Sequence, residues 1–108
     1  MGEIRIVEKD FEEWAQPRHV RMVVRADDVI EVIVTWFYVW NDSQIAAIHT
    51  YESECDRGSH VEFFNDLEGL ANDILQLAKN YVEEGAEVEI RVVGDTELYK
   101  LLKAKAAA

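Results

Sequence analysis

A chain of 108 residues with a formal net charge of −11 can enclose one hydrophobic core and is too short for two ordinary domains, so residues 1–108 read as a single domain. Its apolar content of 49% is that of a globular protein rather than a disordered one. Its longest apolar stretch, residues 32–40, is far shorter than the roughly 20 residues a membrane-spanning helix requires.

No signal peptide or myristoylation pattern is read at the start. With a single cysteine, Cys55, the expected location is the cytoplasm, with no membrane contact. The charge is unevenly spread. Residues 1–26 hold five Lys/Arg against five acids, whereas residues 27–108 hold six against seventeen. Such a surface repels phosphate backbones at long range, so nucleic acid is not the expected partner.

Residues 3–8 alternate charged and apolar side chains, which suggests an extra N-terminal strand. Residues 11–15 offer one helical turn that Pro17 would end, and the first seventeen residues are assigned only loosely. From His19 the alternation sharpens: Val20, Met22 and Val24 oppose His19, Arg21, Val23 and Arg25. Asp27-Asp28 supplies a turn, and residues 29–40 form a long strand rich in β-branched and aromatic residues. Asn41-Asp42-Ser43 makes a second turn, and residues 44–53 return as a third strand.

The middle strand is apolar on both faces. Ile30, Val32, Val34, Trp36, Tyr38 and Trp40 point one way, and Val29, Ile33, Phe37 and Val39 the other. A strand of that kind is normally covered on both sides, by helices or by a second chain. Trp36, Tyr38 and Trp40 are therefore candidate interface residues, since Trp and Tyr are enriched where chains meet.

Residues 52–59 are expected to be a polar loop. A long helix should begin near Ser59 or His60, carrying Val61, Phe64, Leu67, Leu70, Ala71, Ile74, Leu77, Ala78 and Tyr81 on one stripe and ending at Gly85. Residues 87–93 alternate as a strand. Asp95 or Thr96 then caps a last helix with Leu98, Leu101 and Leu102 on its buried edge. The fold class is α+β: an antiparallel three-stranded meander, then helix, strand and helix, in a mixed sheet.

That element order, with the run Gly85-Ala86-Glu87-Val88-Glu89-Ile90-Arg91-Val92-Val93-Gly94-Asp95-Thr96-Glu97-Leu98, resembles the ribonuclease H-like superfamily. The resemblance implies a metal-dependent nuclease in which Asp95, Glu68 and Asp27 hold Mg²⁺ or Mn²⁺, with no other cofactor expected. Plain structural roles account for the same residues: Asp95 as a helix cap, Asp27-Asp28 as a hairpin turn and Glu68 as a solvated side chain.

Two smaller clusters remain. His49, Cys55, His60 and Asp56 match no compact zinc spacing, so no metal site is expected from them. Arg18, His19, Arg21 and Arg25 form the basic cluster, and His19, Arg21 and Arg25 are the candidates for gripping an anion. The leading expectation is a non-enzymatic module that self-associates or binds another protein. A divergent nuclease and an acidic decoy for a basic partner protein are the alternatives.

Overall fold

The computed structural model describes residues 3–9, 18–40, 44–52 and 57–107, without the side chains of Trp40, Glu52 and Arg57. The 11–15 turn, Trp14, Pro17, the Asn41-Asp42-Ser43 turn, Cys55 and Asp56 lie outside them. Eight elements follow in order: β1 (Ile4–Lys9), β2 (His19–Ala26), β3 (Val29–Trp40), β4 (Gln44–Glu52), β5 (Arg57–Phe64), α1 (Leu67–Glu83), β6 (Glu87–Val93) and α2 (Thr96–Ala107). The class is α+β, as the alternating and three-to-four-residue periods imply, and the N-terminal strand is present.

The six strands form one mixed sheet in the order β1-β6-β2-β3-β4-β5. The meander has four strands rather than three, because β5 adds to β4 with His49 opposite His60 and Ile45 opposite Phe64. Strand β6 enters on the other side of β2, antiparallel to it, and β1 closes that edge parallel to β6.

Strand β5 corrects the expected helix start. Val61 and Phe64 fit a helical stripe with Leu67, but residues 57–64 pair along their length with β4 and alternate in facing. The helix begins only after Asp66, whose carboxylate accepts a hydrogen bond from the Gly69 amide at 2.8 Å and satisfies one of the first-turn donors. At the other end Gly85, at φ 96°, adopts the left-handed conformation that stops the chain winding further.

Both helices lie on one face of the sheet. The core joins Leu70, Ala71, Ile74, Leu75 and Ala78 of α1 and Leu98 and Leu102 of α2 to Ile6, Val20, Met22, Val24, Ile33, Phe37, Ile45, Ala47, Val88, Ile90 and Val92. Every one of those sheet residues has the same parity in the strand register. Ala47, Ala71 and Ala78 are fully buried, and their small side chains let α1 approach the strands closely. An ion pair between Lys105 and Glu68 ties the end of α2 to the start of α1. No helix among the described residues is long and apolar enough to cross a membrane.

Candidate functional site

The face opposite the helices is laid out by the register. One row across β3, β4 and β5 is Trp36, Ile48 and Val61, and the next is Tyr38, Ala46 and Phe63. Ile30, Val32 and Val34 continue the face along β3. Ile30 (58%), Tyr38 (45%), Val61 (51%) and Phe63 (57%) are exposed large hydrophobics. Trp36 is half-buried and packs at a tilt against His19, their ring centroids 4.5 Å apart. Trp40 ends β3, and its side chain lies outside the described residues. Val61 and Phe63 belong to this surface although the sequence placed them on or beside a helix. Their alternation with His60, Glu62 and Phe64 is the signal that would have found them.

The other half of the same face is basic. Arg5 and Lys9 of β1, Arg91 of β6, and Arg21 and Arg25 of β2 share its parity, against Glu87 and Glu89. Arg91 hydrogen-bonds Glu89 and holds its carboxyl below the usual range, with Arg5 and Arg25 adding to the effect. Of the expected anion grip, Arg21 and Arg25 are exposed on one strand face, while His19 is buried. A cleft of about 220 Å³ lies between Arg5, Arg25 and their glutamates.

The three carboxylates of the nuclease reading stand apart. Asp95 follows β6 at the end where Val93 pairs with His19. Asp27, at φ 54°, turns the chain at the opposite end of β2. Asp95 accepts a hydrogen bond from the Leu98 amide and another from Arg18, both at 2.9 Å, which makes it the cap of α2. The Arg18 guanidinium also lies over the Phe37 ring, 5.2 Å from its centroid. Glu68 is exposed in the first turn of α1 and meets Lys105.

A polar cleft opens on the helix side, between α1 and the β4–β5 pair. Register places Thr35, His49 and His60 in one row, with Glu62 and Tyr51 adjacent on the same face. The helix contributes Asp73, Gln76 and Asn80. His49 shares a 2.8 Å hydrogen bond with Thr35 through Nδ1, and its Nε2 lies 3.6 Å from Asp73 Oδ2. His60 Nε2 sits 3.0 Å from Glu62 Oε1, and its ring stacks on Tyr51. Burial pushes the pKa of His49 down despite the neighbouring Asp73, favouring the neutral imidazole. Burial, and then the charge of Glu62, push that of Asp73 up. The sequence offered His49 and His60 together with Cys55 and Asp56; the fold joins the two histidines to Glu62 and Asp73.

Comparison of the chain with protein-family models, curated proteins and solved structures finds no match.

Proposed function

We propose that this chain is a non-enzymatic, self-associating module whose open sheet face packs against the same face of a second copy. The observation that carries the reading is the apolar surface across β3–β5, where Ile30, Tyr38, Val61 and Phe63 are exposed on the sheet face opposite the helices. Contiguous apolar patches of this kind mark interaction surfaces. A sheet face is also suited to stacking on another at about 10 Å, with side chains interdigitating.

Charge favours a second copy at this surface. The molecule carries −11 overall, yet the described strand side chains of the open face include five Lys/Arg and only two Glu. Two acidic chains therefore repel each other least when these faces meet. A two-fold arrangement sets apolar rows against apolar rows and leaves the arginines at the rim, where they can reach acids of the partner. A stable contact of this type buries about 1,200–2,000 Å² in total.

Sedimentation velocity between about 1 and 100 µM tests the reading, a span chosen to bracket micromolar affinity. The expected species is twice the 12.5 kDa chain mass, reduced to the monomer by Phe63→Glu with the helical spectrum unchanged. A wild-type chain that stays monomeric across the whole range sinks it.

A further inference from the structure

The geometry points to a binding site for a divalent transition-metal ion of the zinc class in the cleft between α1 and the β4–β5 pair, with His49 Nε2, His60 and Glu62 as ligands and Asp73 within reach from the helix. This inference is independent of the self-association reading.

The central observation is His49. Its side chain is 3% exposed, and among the described residues its Nε2 is the one buried side-chain nitrogen or oxygen with no hydrogen-bond partner. Leaving such an atom unmatched forfeits its hydration without replacement, so a buried orphan calls for a partner. Asp73 is the nearest acid, but 3.6 Å is too long for a hydrogen bond. Meanwhile Thr35 engages Nδ1 and fixes the ring with Nε2 toward the cleft. A hydrogen bond at one imidazole nitrogen orienting the other is the usual support for a metal-binding histidine.

The remaining donors cluster with His49. One ligand atom each from His49, His60 and Glu62 lie within 4.8 Å of one another. Tetrahedral coordination at about 2.0–2.2 Å separates ligand atoms by roughly 3.5 Å, so the widest separation must close by about 1 Å while the 3.0 Å hydrogen bond between His60 Nε2 and Glu62 Oε1 opens to admit the ion. His60 and Glu62 can supply that movement, since their side chains are 44% and 40% exposed on the edge strand β5. His49, already fixed, need not move.

Charge agrees with the geometry. His49 and Tyr51 of β4, His60 and Glu62 of β5, and Asp73, Gln76, Leu77 and Asn80 of α1 line the cleft, and no Lys or Arg is among them. Two carboxylates thus face each other beside a neutral imidazole with no cationic side chain between them. A bound dication neutralises both. Imidazole with carboxylate suits Zn²⁺, Co²⁺ or Ni²⁺, whereas an all-oxygen set would have suited Mg²⁺ or Ca²⁺. The cleft, about 160 Å³ in volume, admits an ion with a water completing its shell.

Cobalt(II) is the direct probe, because imidazole–carboxylate coordination in a four-coordinate site gives visible absorption bands that the aquo ion lacks. Titration of the full chain with Co²⁺ at pH 7.5 should reach one equivalent and be reversed by Zn²⁺. His60→Ala and Glu62→Gln, both at half-exposed positions that leave the core intact, should each weaken binding at least tenfold. Thr35→Val, which frees the His49 ring, should weaken it less. Absence of binding up to millimolar Co²⁺, or equal binding by wild type, His60→Ala and Glu62→Gln, overturns the assignment.

Discussion

The two faces of the sheet are written by one alternation and end differently. Along the middle of β3, under the helices, Ile33 and Phe37 are almost wholly buried, with Val29 and Val39 of the same parity exposed toward its ends; on the other parity Val34 is buried while Ile30 and Tyr38 stand half exposed. Hydrophobicity does not separate them; what they oppose does. On the covered face the sheet meets helices through small side chains, Ala47 against a helix that carries Ala71 and Ala78. On the open face the rows end in Val61 and Phe63 and are flanked by arginines. Close packing needs a matched surface. The covered face finds it within the chain; for the open face we propose another copy of itself.

Truncation on the two faces should therefore give opposite signatures. Phe37→Ala is expected to cost roughly 3–5 kcal/mol of folding stability, the range for a fully enclosed aromatic. Phe63→Ala is expected to change monomer stability by less than about 1 kcal/mol while weakening association. Urea denaturation at low protein concentration separates the two effects. A large loss of monomer stability from Phe63→Ala would mean that its ring is packed within the monomer.

The helix layer that makes the difference depends on its caps. Asp66→Ala and Asp95→Ala should each destabilise by about 1 kcal/mol, the usual size for a lost N-cap, and thermal melts resolve it. Asp95→Asn keeps a capping oxygen, so it should retain most of the stability. If Asp95→Asn is as damaging as Asp95→Ala, the pairing with Arg18 matters more than the cap.

A smaller contrast lies in pH. His49 is buried with its pKa lowered from 6.5. Below pH 6.5 the unfolded chain takes up a proton there that the folded chain refuses. Stability supplied by the neutral ring is thus present above that pH and lost as the pH falls toward the lowered folded value. Asp73, raised from 3.8, acts in the opposite sense: between 3.8 and its raised value the folded chain holds the extra proton, so stability grows as the pH falls through that window. In metal-free protein the melting temperature should fall on going from pH 7 to 5.5, and His49→Gln should flatten that slope. An unchanged slope would place the proton uptake elsewhere.

Tyr81 gives a contrast at alkaline pH. Burial first, and then the charge and hydrogen bond of Glu31, push its pKa from 10.0 to about 12. Stability should decline as the pH rises from 10 toward 12, where the unfolded tyrosine ionises and the folded one does not. Tyr81→Phe should remove that decline and cost about 0.5–1.5 kcal/mol at neutral pH. Alkaline denaturation curves of the two proteins provide the comparison.

Much of this was legible in the sequence because local period and facing agree. Residues 19–26, 29–40 and 87–93 alternate cleanly, and the facing of Ile30 through Tyr38 against Ile33 and Phe37 follows from it. The start of α1 was not legible, because Val61, Phe64 and Leu67 satisfy a helical spacing and a strand ending before a capped helix equally well. Pairing with β4 decided between them, and pairing is a long-range property. The histidine cleft was hidden for the same reason. His49 and His60 are eleven positions apart and meet only through the β4–β5 register, while Asp73 arrives from a helix that crosses above them.

The most direct test of the account follows amide and methyl NMR signals of the isotopically labelled chain through dilution from about 500 to 5 µM, which spans a micromolar dissociation constant. Shifts confined to Ile30, Trp36, Tyr38, Ile48, Val61 and Phe63 and their strand neighbours, with α1 and α2 unmoved, are the predicted result. Shifts centred on the helices or on the outer edges of β1 and β5 would contradict it.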